Sequence, residues 1–171
     1  MLVFVASTKA QQYDNVIGHW TGTWATAMQI PVRSFMPYNN DMTDRSVRQI
    51  VKVSAGGDVL RLQLSNIFSK TPVVIKSVYS DGERFALKTG ELLAITINYE
   101  RAPRIPTVHM GSRTTSYIMK GVTVPQTDFA RAFKYEKWFN IAALEVFATD
   151  VRTFAILGNS ITDGKGSTTN K

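Results

Sequence analysis

The sequence predicts a mainly β protein: a β-sandwich over roughly residues 13–150, then the first strand and loop of an α/β element over residues 151–171. Two observations predict it. From about Gly22 to Phe147, apolar residues recur with period two in short runs separated by turn residues, the pattern of half-buried strands. Past Asp150 the pattern changes to a continuous apolar run, Phe154-Ala155-Ile156-Leu157, ended at once by Gly158. That is the pattern of a strand buried on both faces of a parallel sheet. The change places a domain boundary near residues 149–153.

The runs can be taken in order. Gly22–Gln29 begins the series. In Ser46–Ser54, Val47, Gln49, Val51 and Val53 share one face, and Arg48, Ile50 and Lys52 share the other. Ala55-Gly56-Gly57-Asp58 is a turn cluster, and Val59–Ser65 returns as a strand with Leu60, Leu62 and Leu64 facing inward. Together they predict a β-hairpin. Val73–Ser80 is strand-like and ends at the turn dipeptide Asp81-Gly82. Leu92–Tyr99 follows with Leu93, Ile95, Ile97 and Tyr99 in register, and Thr114–Val124 and Trp138–Phe147 complete the set. Pro103, Pro106 and Pro125 stand between runs, where a missing N–H does least harm. Several short strands at regular spacing indicate an all-β sandwich. No helical stretch and no internal repeat is expected before residue 150.

Composition narrows the function classes. Hydrophobic residues make up 44% of the 171 and charged residues 19%, a globular balance with enough chain for one core and part of a second. No apolar run approaches the roughly 20 residues that span a bilayer. The net charge is +7, but the lysines and arginines are scattered singly, so the sequence lacks the basic block of a nucleic-acid-binding tail. With no cysteine, disulfides, thiolate chemistry and cysteine zinc sites are excluded. The first residues run apolar, then small, then polar: Leu2-Val3-Phe4-Val5-Ala6, Ser7-Thr8-Lys9-Ala10, Gln11-Gln12. That order suits a signal peptide cleaved after Ala10, so residues 1–12 are expected to be a leader remnant of a secreted or periplasmic protein. A frayed N-terminal strand is the alternative.

The loop Gly158–Gly166 carries the chemistry. A glycine-rich loop after a buried strand either cradles phosphate or presents a nucleophile. The phosphate pattern fails: five residues separate Gly158 from Gly164, and Gly166, not Ser or Thr, follows Lys165. The dinucleotide pattern fails because Ser160 stands where its second glycine belongs. A hydroxyl at a tight turn above a sheet, with backbone N–H groups to stabilise an oxyanion, remains. The G-x-S-x-G elbow is not matched, since Thr162 takes its last place.

ILGNSITDGKGSTTN resembles block I of the SGNH (GDSL-type) hydrolases, whose usual form is Gly-Asp-Ser and an apolar residue. Upstream, HWTGTWATAMQ, SVRQIVKVSAGGDVLRLQLSN, TPVVIKSV and HMGSRTTSY are similar to the non-catalytic β-domain that precedes block I in a bacterial subgroup of these esterases. The resemblance runs from about Gly18 to the end. It implies a flavodoxin-like hydrolase domain beginning at residue 151, cut after block I. It also implies a serine esterase acting on short acyl esters of carbohydrate, acetyl above all, without cofactor or metal. Ser160 would be the nucleophile and an oxyanion donor through its backbone N–H, supported by Gly158, Asn159, Asp163 and Gly164. Asn159 replaces the usual Asp, which keeps hydrogen bonding and loses charge. The resemblance places the remaining oxyanion donors, a Gly and an Asn, and an Asp-x-x-His base downstream, so these 171 residues are expected to be inactive alone.

Other candidates are weaker. His19 and His109 lack an Asp three residues before them and are read as structural or surface residues. Trp20, Trp24 and Trp138 could stack on sugar rings, but buried aromatics usually belong to a core. Asp41 and Asp44, with Asn39 and Asn40, are read as a solvated loop, since their spacing matches no EF-hand. Asp163 could contact substrate or cap a helix beyond it. The alternative to an esterase is a non-enzymatic sandwich that binds carbohydrate. No nucleic-acid partner and no membrane span are expected.

Overall fold

A computed structural model describes residues 2–6 (backbone only), 18–37, 41–80 and 86–171. Strands in chain order are β1 (Leu2–Ala6), β2 (His19–Ala25), β3 (Arg45–Lys52), β4 (Leu60–Leu64), β5 (Val74–Ser80), β6 (Leu92–Arg101), β7 (Val108–Met110), β8 (Ser116–Lys120), β9 (Phe133–Tyr135), β10 (Lys137–Phe139) and β11 (Ile141–Ala148). The protein is mainly β, with antiparallel sheets throughout. One has four strands in the order β1-β4-β11-β2, one has five in the order β5-β6-β3-β8-β9, and β10 pairs with β7 alone. A single 3-10 turn at Arg33–Phe35 is the one helical element assigned among the described residues. No helix among them is long and apolar enough to cross a membrane. Residues 2–6, read above within the leader remnant, run antiparallel to β4 at the sheet edge. The expected Asp81-Gly82 turn lies outside the described residues.

The period-two rows face inward as the sequence predicts. Val47, Val51 and Val53 on one side of the five-stranded sheet join Leu93, Ile95, Ile97 and Tyr99 of β6. Leu60, Leu62, Leu64, Leu144 and Val146 come from the four-stranded sheet, and all belong to one buried cluster.

The hairpin expected between Ser46–Ser54 and Val59–Ser65 does not form. β3 pairs with β6 and β8, while β4 pairs with β1 and β11. The Ala55–Asp58 turn therefore carries the chain from one sheet to the other. Thr23 of β2 fixes that corner: its hydroxyl donates to Ala55 O at 2.7 Å and accepts from Ala55 N at 2.8 Å. Alternation tells which side chains face the core, but an inward row reads the same whether the next strand is a neighbour or lies opposite.

Two polar residues sit in the core for identifiable reasons. Gln49 occupies an inward position of β3, where its amide accepts from Phe139 N at 2.6 Å and donates to Phe139 O at 3.1 Å. It acts as a peptide group would and ties β10 to the five-stranded sheet. Asn140 breaks the expected Trp138–Phe147 strand into β10 and β11 by taking φ 59°. Its side chain accepts from Tyr99 Oη at 3.0 Å and donates to Ser65 O at 2.8 Å. Complete burial pushes the Tyr99 phenol pKa far up, so it stays protonated and able to donate.

The C-terminal segment departs from expectation. Residues 151–158 form no strand. Phe154 is 90% exposed, Ile156 80%, and Leu157 fully. The segment is tied to the four-stranded sheet through Thr153 Oγ1, which donates to Gly22 O at 2.9 Å, and through His19 Nε2, 3.0 Å from Val151 O. An apolar run forms a buried strand only where neighbouring strands supply its ladder, and none of the described strands pairs with this one.

Candidate functional site

The Gly158–Gly166 loop closes into one helical turn with both ends capped. At its start, Asn159 Oδ1 accepts from Ile161 N at 3.1 Å, the bond of an N-cap residue. Asp163 N donates to Asn159 O at 3.1 Å. At its end, Lys165 N donates to Ser160 O at 2.7 Å and Gly164 N to Ile161 O at 3.0 Å, with Gly164 at φ 84°. These two bonds and the left-handed glycine make a Schellman cap. Gly158 is required for a different reason: a Cβ there would overlap the Thr162 side chain, which folds back over it. Asn159 thus performs a capping that needs an acceptor oxygen and no charge.

Ser160 lies within this turn and is exposed. Neither its hydroxyl nor its backbone N–H has a hydrogen-bond partner among the described residues. A hydroxyl and an N–H from one residue, both unengaged and held by a closed turn, can present a nucleophile and an oxyanion donor together.

The loop packs on the β-unit. Asp163 does not cap a following helix; it ends the turn and turns its carboxylate onto the β-unit. Its Oδ1 lies 2.9 Å from His109 Nε2. The other ring nitrogen, Nδ1, is 2.7 Å from Ala27 O. Each ring nitrogen thus faces an oxygen acceptor. His109 is buried on β7, so the structural role expected of it holds, with a partner the sequence did not indicate. A second contact lies beside it. Asn170 N donates to Arg113 O at 2.9 Å, Asn170 Oδ1 accepts from Thr115 N at 2.8 Å, and Asn170 Nδ2 donates to Thr115 Oγ1 at 2.9 Å. Arg113, at φ 56°, also brings its Cγ against Gly164, and its buried Nε has no hydrogen-bond partner. The string His109–Tyr117 and the string Ile156–Asn170 therefore dock on each other. Only the presence of both strings in the sequence could have hinted at it; their pairing leaves no local signal.

Beside the turn runs a cleft of about 500 Å³ between β2, β11 and the C-terminal segment. Trp24, Glu145, Phe154, Ile156 and Thr162 line it. Glu145 is held ionised: hydrogen bonding from Arg61 first, then Gln63, keeps its carboxyl below the usual carboxylate range against the opposing effect of burial. The tryptophans are engaged in packing. Trp138 is buried and meets Trp24 edge-to-face at 5.2 Å, while Trp20 meets Phe147 edge-to-face and carries the Arg61 guanidinium 4.3 Å from its ring centre. His19 is committed to Val151 O through Nε2. Asp41 is a loop residue whose Oδ1 accepts from Thr43 N at 3.0 Å. No family model and no curated protein matches the chain.

Proposed function

We propose that this chain is the N-terminal part of a secreted or periplasmic serine esterase of the SGNH type that removes short acyl groups, acetyl above all, from carbohydrate. The observation that carries the reading is Ser160, exposed on a turn capped at both ends, with its hydroxyl and N–H free of partners among the described residues and the turn docked on the β-unit through Asp163. In the mechanism, Ser160 Oγ attacks the ester carbonyl and the Ser160 N–H donates to the oxyanion that develops. Collapse expels the sugar alcohol and leaves an acyl-serine, which water then hydrolyses. A base must take the Ser160 proton, and neither histidine here is placed for it. His109 Nε2 is engaged by Asp163, and His19 Nε2 by Val151 O. In this reading the base and the remaining oxyanion donors are supplied by the rest of the hydrolase domain.

In the same reading, the four- and five-stranded sheets are the two layers of a β-sandwich, since their inward rows fill one apolar cluster. The apolar segment Phe154–Leu157 becomes a strand of the hydrolase domain once neighbouring strands are present.

The test is labelling with a serine-directed fluorophosphonate. The protein encoded by the frame read on past Lys171 should label at Ser160 and lose the label in Ser160→Ala. The 171-residue chain should label in neither form. A longer protein that hydrolyses p-nitrophenyl acetate equally well as Ser160→Ala would sink the assignment.

A further inference from the structure

Among the described residues, the outer face of the five-stranded sheet is covered over one half only. There the chain after β8 folds back across it. Tyr79 Oη donates to Val124 O at 2.9 Å, Asn98 Nδ2 donates to Thr123 O at 2.9 Å, and the Arg48 guanidinium lies 3.9 Å from the centre of the Phe129 ring. Ser46 and Thr123 bond to Asn98 Oδ1 beneath this cover. Beyond Arg48 the face is open, and its character changes. Ile50 and Lys52 of β3, Leu92 and Ala94 of β6 and Tyr117 of β8 line a cleft of about 740 Å³, walled on one side by Thr114, Thr115 and Asn170. The wall is built, since Asn170 is bonded to Thr115 through both its side-chain oxygen and its nitrogen.

We propose that this cleft binds a short acidic oligosaccharide, a chain of pyranose rings carrying carboxylates. The proposal rests on the carbohydrate reading above and names a second sugar site, on the β-unit and distinct from Ser160. Its volume lies in the range of small-ligand clefts. The Tyr117 ring and the Ile50 and Ala94 side chains offer an apolar floor for the C–H faces of sugar rings. Thr114, Thr115 and Asn170 make the wall polar, matching the hydroxyls of a sugar. Charge decides the kind of sugar. Of the strand residues lining the cleft, the one charged side chain is the cationic Lys52, and the nearest acid in sequence, Glu91, turns its carboxylate to Lys88 N at 2.8 Å. Lys52 is exposed and has no hydrogen bond or ion pair among the described residues, so its ammonium is available to a carboxylate.

The experiment is calorimetric titration of the 171-residue chain with a galacturonic acid trimer and, separately, with neutral xylotriose. The acidic trimer should bind at least about tenfold tighter than the neutral one, and added salt should weaken it. Lys52→Gln should erase that preference, and Tyr117→Ala should weaken both sugars. Both side chains are at least partly exposed, and an unchanged thermal transition in each variant shows that folding is intact. Equal binding of the two sugars, no binding of either, or unchanged affinity in Lys52→Gln overturns the proposal. Ser160→Ala should bind as the unaltered chain does, so loss of the esterase reading and loss of this site appear in different variants.

Discussion

His109 Nε2 stands 2.9 Å from Asp163 Oδ1, and through this pair the β-unit holds the carboxylate of the turn that carries Ser160. Asp163 is the residue at which the turn ends, immediately before the left-handed Gly164. Holding its carboxylate fixes the turn's orientation, while the turn's own bonds fix its shape. The two roles are separable.

That separation is measurable by amide hydrogen exchange. His109→Ala or Asp163→Asn should raise exchange across residues 160–166 about tenfold, the loss expected for one charge-assisted hydrogen bond at a partly exposed site. Amides of β3 and β6 should not change. If residues 160–166 exchange at the same rate in both variants, the pair does not hold the turn.

Asn140 should be among the costliest single positions. Alanine there leaves the buried Tyr99 hydroxyl and the Ser65 carbonyl without partners and keeps a left-handed backbone that a β-carbon disfavours. Asn140→Ala should lower unfolding free energy by about 3 kcal/mol in urea titration. Asn140→Gly removes the backbone strain but not the lost bonds, so it should lose less than Asn140→Ala. Equal losses would show that strain contributes nothing.

The sign of the acid dependence follows from Glu145. Arg61 Nε lies 2.5 Å from Glu145 Oε2 across β4 and β11, and Gln63 Nε2 donates to the same oxygen at 2.9 Å. The folded carboxyl is thus held below its unfolded value of about 4.5. A depressed carboxyl contributes its stability fully above the unfolded value and loses it as pH falls through the folded one. Unfolding free energy should therefore decline below about pH 4.5, by about 1 kcal/mol from this part-buried pair. In Glu145→Gln that share of the decline should vanish. An unchanged acid profile in the variant would place the pH dependence elsewhere.

How legible was this in the sequence? The rows Val47-Gln49-Val51-Val53 and Leu93-Ile95-Ile97-Tyr99 were read to the correct face, because burial of alternate residues is a local property of a strand. Partner choice is not local. The same leucines of β4 fit a hairpin with β3 and the pairing with β11 that forms instead, and only long-range packing decides between them. β7 and β9, each three residues long, are too short to show a period. At the candidate site, the turn-forming residues Gly158, Asn159 and Gly164 were legible because caps and close approaches have residue preferences. The grip of His109 on Asp163 was not, since it joins residues from distant parts of the chain and obeys no spacing rule.

The last prediction concerns the segment before that turn. Phe154, Ile156, Leu157 and Ile161 are each at least four-fifths exposed, an apolar strip along one short stretch of the chain. Exposed apolar surface drives association, and an extended segment without ladder partners among the described strands adds unpaired backbone groups to it. Sedimentation of the 171-residue chain should therefore show self-association that grows with protein concentration. Replacing Phe154, Ile156 and Leu157 together by serine should abolish it. Because these side chains bury almost nothing, the same variant should change unfolding free energy by no more than about 0.5 kcal/mol. Truncation after Asp150 removes the strip and loses the Thr153 and Val151 bonds at the edge of the four-stranded sheet, but leaves the apolar cluster of both sheets in place. The shortened chain should stay monomeric and unfold in one cooperative transition. An unfolded truncation product would mean that β2 depends on residues 151–153 for its place in the sheet. A chain that stays monomeric at every concentration with Phe154–Leu157 intact would mean that the strip is covered in solution.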